Sequence, residues 1–315
     1  MAVLRLVALR LAWALPMLFV VSFFCFLLVS LVPGDPARSV LGPLAPQQQV
    51  DALHQQMGLD RPLLHQYVSW LGRSVQGDLG VSVITGAEVG PMLNARLAPT
   101  LSLIVLATLT AMLLGVGLGV FSGVHGGPLG RMVDVLSVVG LAVPGFWLAL
   151  MLVSWFAVRW PLFPVTGYVP LTQSPGDWLG SLVLPVAATS LAAVTAVAKQ
   201  TRDSMLDTLD RDFVRVMQAN GLSRRSIVYR HALRTAAVPV VSLLGVISAS
   251  LLGTTVLIEN IFGLPGLGSG AALAAAQHDI PVLQGAVVYF TLIVIVIGLL
   301  VDLCQAWLDP RVRHR

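Results

Sequence analysis

Six apolar runs, each long enough to cross a bilayer as a helix, leave this chain few folds to choose from. The first, residues 9–31, carries no charge after Arg10, and as a helix it would span roughly 35 Å, enough for a hydrocarbon core. Arg5 and Arg10 ahead of it resemble the start of a signal peptide. The run is too long for one, however, and no small-residue cleavage site follows, so it reads as a span. The others are 100–123, 133–158, 182–198, 238–258 and 285–307. A strand inside lipid would leave backbone groups unpaired unless a barrel closed, whereas a helix pairs its own. An all-α integral membrane protein with six spans is the fold class expected. With 56% apolar and 11% charged residues and a mean hydropathy of +0.85, the composition lies far from that of soluble domains. Cys25 and Cys304 each sit in an apolar run and read as small packing residues, not as a disulfide or metal framework.

The connections are uneven. Residues 32–99 are the least hydrophobic part: rich in Pro and Gly from Pro33 to Pro46, then a short polar helix predicted over 47–57, then mixed segments to Pro99. His54 and His65 are spaced for one helical face, but Gly58 and Pro62 interrupt any such helix, which argues against a metal site. In the second span Gly115, Gly117 and Gly119 are expected to serve close helix packing. In the third, Pro144-Gly145 predicts a kink facing a water-filled path or buried in protein. Residues 259–284 contain glycines at 263, 266, 268 and 270, then the small run 271–276, read as the site of a short helix. Asp134, Glu259 and Asp302 fall near span ends, where water or headgroups would solvate them, and read as structural.

Charge fixes the expected orientation. With the N-terminus inside, the inner connections carry 14 Lys and Arg and the outer ones 5, namely Arg38, Arg61, Arg73, Arg96 and Arg159. That bias puts both termini in the cytoplasm. Eight of the inner cations lie between Lys199 and Arg234, against four aspartates, so the basicity marks topology rather than nucleic-acid binding.

Within that inner stretch, residues 203–234, Leu206, Leu209, Phe213, Val216 and Met217 recur at helical spacing. One helix over 203–220 is predicted, stopped at Gly221, with Ser223 as the N-cap of a second. The shape is a helix, a sharp turn and a helix, serving either as a docking element or as a solvated connector.

Ala219-Asn220-Gly221-Leu222-Ser223, followed by Arg230-His231-Ala232-Leu233-Arg234 and Pro239, resembles the EAA loop of ABC importer permeases of the dipeptide and oligopeptide group. Arg215, Val216 and Met217 stand where the acidic and alanine residues that name the loop would fall. Leu31-Val32-Pro33-Gly34-Asp35-Pro36, Gly58-Leu59-Asp60-Arg61-Pro62, Gly77-Asp78-Leu79-Gly80, Pro144-Gly145-Phe146-Trp147, Phe262-Gly263-Leu264-Pro265-Gly266-Leu267-Gly268 and Leu308-Asp309-Pro310-Arg311 are similar to the first permease of such systems, in the same order. The resemblance implies a type I importer permease with a large extracytoplasmic loop after its first helix. It divides the chain into a first helix (1–31), that loop (32–99), a five-helix core (100–307) and a tail (308–315). It implies an ATPase-docking role for Leu209, Phe213, Arg215, Val216, Met217, Ala219, Asn220, Gly221, Leu222 and Ser223. Pro144, Gly145, Phe146 and Trp147 become pathway candidates, and Gly263, Pro265, Gly266, Gly268 and Asp279 fall on the binding-protein side. The implied partners are a second permease, two ATPase subunits holding ATP and Mg, an extracytoplasmic binding protein and membrane lipid, with no nucleic acid.

The cargo implied is short peptides, with nickel or a metal chelate as the alternative. A phosphate loop is impossible in this chain, because its only lysine, Lys199, is followed by Gln200. There is no HExxH, no GxSxG and no close carboxylate pair within a span, so catalysis and bound cofactors are not expected here. An ion-driven transporter, the other class considered, usually carries ionisable groups at mid-membrane and repeated halves, and neither is visible.

Overall fold

The computed structural model describes residues 2–31, 34–42 and 44–308. They form α1 (Ala2–Leu31), α2 (Pro36–Leu41), α3 (Gln47–Met57), α4 (Leu63–Ser74), α5 (Val89–His125), α6 (Gly127–Ala142), α7 (Gly145–Arg159), α8 (Pro175–Leu209), α9 (Asp212–Ala219), α10 (Arg224–Ile261), α11 (Leu267–Gln277) and α12 (Ile280–Leu308). Helices α1, α5, α8, α10 and α12 are long and apolar enough to cross a membrane, and α6 with α7 makes a sixth span if the bent pair counts as one. Val32, Pro33 and the tail 309–315, with Arg311, Arg313 and Arg315, lie outside the described residues.

Several expectations change. The kink at Pro144-Gly145 is a break: α6 and α7 meet at 90°. Val143 is extended, as a residue before proline avoids the helical region, and Pro144 is extended as well. The long helices also overrun their apolar runs. Helix α5 starts at Val89 rather than at residue 100, α8 continues to Leu209, and α10 starts as far back as Arg224. Most of 203–234 therefore belongs to helix ends, and only 210–223 connects them. Finally, Gly117 meets nothing, whereas Gly123, which the glycine pattern omitted, makes a close contact.

One compact unit comprises Leu101–Leu264 with the described parts of Met1–Leu9 and Val296–Arg315. Its axis is α8, opened by the Ser174 hydroxyl, which accepts from the Asp177 N–H at 3.4 Å, and by Pro175 in the first turn. In its most apolar window 67% of the residues are buried, because α5, α6, α7 and α10 all pack on it. Small residues make this close packing possible. Gly115, Gly119 and Gly123 on α5 lie over Val197, Thr201 and Met205 on α8, a four-residue repeat facing a four-residue repeat. Hydroxyls tie the helices further: Thr108 to Ser248 at 3.0 Å, and Ser137 donating to the Thr195 carbonyl at 3.1 Å. Asp134 meets Arg202 at 3.2 Å and Lys199 at 3.6 Å, a structural pairing of the kind expected. Glu259 differs from expectation, being fully buried rather than solvated at a span end.

The other unit comprises Arg10–Thr100 and Pro265–Ile295. Tyr67 of α4 is its hub, with the rings of Phe19, Phe23, Phe26 and Trp70 between 5.2 and 6.0 Å away. The Tyr67 hydroxyl lies 3.0 Å from the Ser22 hydroxyl and donates to the Phe19 carbonyl at 3.2 Å, so this buried polar group is satisfied. The polar helix predicted at 47–57 is α3, and it ends at left-handed Gly58. His54 and His65 are thus on different helices. His54 hydrogen-bonds Asp35 at 2.7 Å, and His65 faces Arg61 at 3.3 Å. The short helix expected in 259–284 is α11.

Candidate functional site

The connection between α8 and α10 is built from turn chemistry. Helix α8 ends at Leu209, and Arg211 turns extended (φ −71°, ψ 148°), so α9 starts afresh at Asp212. The single helix expected over 203–220 is therefore two, with Leu206 and Leu209 on α8 and Phe213, Val216 and Met217 on α9. Helix α9 packs on the start of α10, Ile227–Ala232, where Ile227 and Val228 are buried. Its inward residue is Val214, 1% exposed, which the helical pattern passed over. Phe213 and Met217 are half-buried, while Arg215, Ala219 and Asn220 are exposed. Arg215 lies 3.5 Å from Asp210 and 3.7 Å from Asp212, pairs too exposed to hold the loop by themselves.

The end of α9 is a Schellman turn. The Gly221 N–H donates to the Gln218 carbonyl at 3.0 Å and the Leu222 N–H to the Met217 carbonyl at 3.1 Å. Gly221 stands at φ +78°, a conformation a side chain resists. The Ser223 hydroxyl then accepts from the Ser226 N–H at 3.3 Å and opens α10, and Arg224 donates to the Val124 carbonyl at 3.0 Å. The result is a braced turn with three exposed apolar side chains: Val216 at 58%, Leu222 at 37% and Tyr229 at 61%.

A second feature of the same unit is an apolar cavity of about 330 Å³ between α7, α8 and α10. Gly145 and Phe146 line it, beside Ala188, Leu191, Ile247 and Leu257. Pro144 and Trp147 do not, although Pro144 sets the break that aims α7 there. Its hydroxyls, on Thr189, Ser250 and Thr254, all donate to carbonyls of their own helices. Among the described residues no charged one lines the wall, which leaves it without a group that would select one solute sharply.

The residues placed on the binding-protein side have mixed fates. Gly263, at φ +58°, turns the chain after α10, where an added Cβ would lie 3.3 Å from that of Thr166. Pro265 is exposed, but Gly266 and Gly268 are buried. The Gly266 carbonyl accepts from Arg96 at 3.3 Å, and the Leu267 N–H donates to the Thr100 hydroxyl at 2.8 Å, which fixes α11 against α5. Asp279 is 4% exposed and is held by the Ser82 hydroxyl and by the Val83 N–H at 3.3 Å. It is thus an internal tie. No local signal in the sequence joins Ser82 to Asp279.

Helices of membrane length, a braced turn with exposed apolar side chains and an uncharged groove define a polytopic membrane transport component. The chain belongs to the family described as binding-protein-dependent transport system inner membrane component, matched over residues 115–314, and its N-terminal part matches the companion N-terminal family over 3–104. It is 36% identical over 306 residues to a probable peptide ABC transporter permease of Sinorhizobium fredii, covering 97% of this chain and 98% of that one. Similarity to a putative peptide transport system permease of Brucella abortus is 37%, with the same coverage. A glutathione transport system permease of Escherichia coli is 34% identical over 307 residues, covering 97% and 98%.

Proposed function

We propose that this chain forms half of the translocation pathway of an ATP-driven importer of short peptides, paired with a second permease. Two ATPase subunits bind ATP and Mg and perform the hydrolysis, and an extracytoplasmic protein delivers the cargo. The names of the similar permeases support peptides as the cargo. The uncharged cavity wall suits cargo recognised elsewhere. Both termini lie in the cytoplasm in this reading, supported by the bias of Lys and Arg.

The observation that carries the reading is the α9 turn. Val216 and Leu222 are apolar and exposed on a connection whose charge balance puts it inside, and the turn joins α8 and α10, two of the helices that wall the cavity. Seated in a groove of the ATPase, α9 would pass its movement to both of these helices. Co-expression tests this: Val216→Asp and Leu222→Asp should abolish co-purification of the ATPase and transport in liposomes while the permease still inserts and folds. Wild-type association by both variants would leave α9 a solvated connector. For the cargo, the partner binding protein decides, since affinity for a metal complex with none for peptides would overturn the peptide reading.

A further inference from the structure

The unit formed by Arg10–Thr100 and Pro265–Ile295 contains a cavity of about 510 Å³, within the usual range of small-molecule pockets, about 300–1,000 Å³. Two of its lining residues are nearly closed to solvent and unsatisfied: Trp70, 5% exposed, and Gln284, 3% exposed. The Trp70 Nε1 and Gln284 Nε2 groups have no hydrogen-bond partner. An indole N–H can only donate, so an acceptor brought by a ligand would satisfy Trp70. Buried donors are almost always paired, which makes two in one cavity a pointer to a ligand.

Charge identifies its sign. Arg61 and Arg73 line the cavity, with His65 and His278 beside them, and among the described residues no carboxylate does. Neither arginine has an ion-pair partner among the described residues; Arg61 is instead turned toward the His65 ring at 3.3 Å. Water in the cavity would leave Arg61 and Arg73 without a counter-charge. A carboxylate or phosphate supplies acceptor oxygens and negative charge together, and guanidinium groups match both. We propose that this cavity is a binding site for a small oxyanion, accepting from Trp70 and Gln284 at its floor and paired with Arg61 and Arg73 at its rim. The oxyanion is either the carboxylate of a soluble molecule or the phosphate of a lipid headgroup.

The test uses the full-length permease in nanodiscs and depends neither on the ATPase nor on transport. Trialanine and trialanine amide are titrated by calorimetry in phosphatidylcholine discs, then in discs containing phosphatidylglycerol. Trialanine should bind in phosphatidylcholine, with the amide at least about tenfold weaker. Trp70→Phe, which keeps a large ring but removes the N–H, and Arg73→Gln should each weaken trialanine by about tenfold at an unchanged melting temperature. If phosphatidylglycerol displaces trialanine, or if it alone binds, the headgroup is the occupant, and both variants should then retain less of it through purification. Equal binding of trialanine and its amide, binding unaffected by both substitutions, or no binding of either anion would overturn the proposal.

Discussion

Gly119 of α5 lies so close to α8 that a Cβ placed on it would sit 2.5 Å from the Ala198 carbonyl oxygen. Real Cβ atoms do not approach a backbone oxygen so closely, and a carbonyl inside a helix cannot swing aside as a flexible side chain could. The contact belongs to a seam in which Gly115, Gly119 and Gly123 each remove a side chain where α8 passes. A Cβ placed on Gly117, on the opposite side of the same helix, would meet nothing within 4 Å among the described residues.

Gly119→Ala should therefore destabilise by the cost of overpacking, about 1–3 kcal/mol. Gly117→Ala should be neutral or gain up to about 1 kcal/mol from helix propensity. Thermal melting of the two purified variants in one detergent checks this. Equal melting temperatures would show that the seam does not set the helix spacing.

In the α9 turn, side chains differ in what they hold. Val214→Ala removes a buried anchor and should loosen α9 against α10, raising hydrogen exchange in 212–222 while the spans stay protected. Gly221→Val should weaken ATPase association by another route. The added side chain would meet nothing, but φ +78° costs an L-residue roughly 1–2 kcal/mol and more for a β-branched one. Phe213→Ala, at a half-buried site, should weaken association and raise exchange together. An effect of Gly221→Val on melting with none on ATPase binding would contradict the docking role.

Asp279 joins the start of α12 to the segment before α5 through Ser82 and Val83. Asp279→Ala should cost about 1–3 kcal/mol, because the Ser82 hydroxyl, itself 2% exposed, loses its acceptor. Ser82→Ala should cost less than the aspartate change, since the Val83 N–H still reaches the carboxylate. Limited proteolysis at 75–88 reports the loss of the tie, and an Asp279→Ala cleavage rate equal to wild type would mean that the tie is dispensable.

Asp35 caps α2, accepting from the Ala37 N–H at 2.9 Å and bonding His54 at 2.7 Å. Burial pushes its carboxyl up, but the bonds from His54 and Ala37 outweigh that and hold it below the ordinary carboxylate value. A carboxyl held low contributes stability that is present above its unfolded value, about 3.9, and is lost as the pH falls through its lower folded value. For a partly exposed pair the amount is about 0.2–1 kcal/mol. Wild type should thus melt above Asp35→Asn at pH 6.5, and the gap should narrow as the pH falls below about 3.9. A gap that widens on acidification would refute this account.

Orientation is tested by one cysteine. Asp51, exposed on α3, replaced by Cys should react with an impermeant thiol reagent added to intact cells if 34–88 lies outside. Cys304 is exposed on the isolated chain and Cys25 half-buried, contrary to the burial expected of both, so each is first replaced by Ala. Labelling that appears only after lysis would invert the topology.

The sequence by itself determined the all-α class, five of the six membrane-length helices expected, the short helix at 47–57 and the stop at Gly221. All of these depend on runs of apolar residues or on one residue's backbone preference, which are local quantities. A helix was legible from residue 203, but not that it continues the span before it without a break, since the polar stretch 199–209 stays on that helix through packing: Met205 and Thr208 are buried although Lys199 and Asp207 are not. The 90° turn at Pro144 read as a kink because proline frees the backbone without saying where it goes. Tertiary structure alone decided that Val214 rather than Phe213 faces inward, that Asp279 finds Ser82, and that Trp70 and Gln284 share a cavity with two arginines. Such pairings join residues far apart in the chain, and they exist only once close packing has chosen which faces meet.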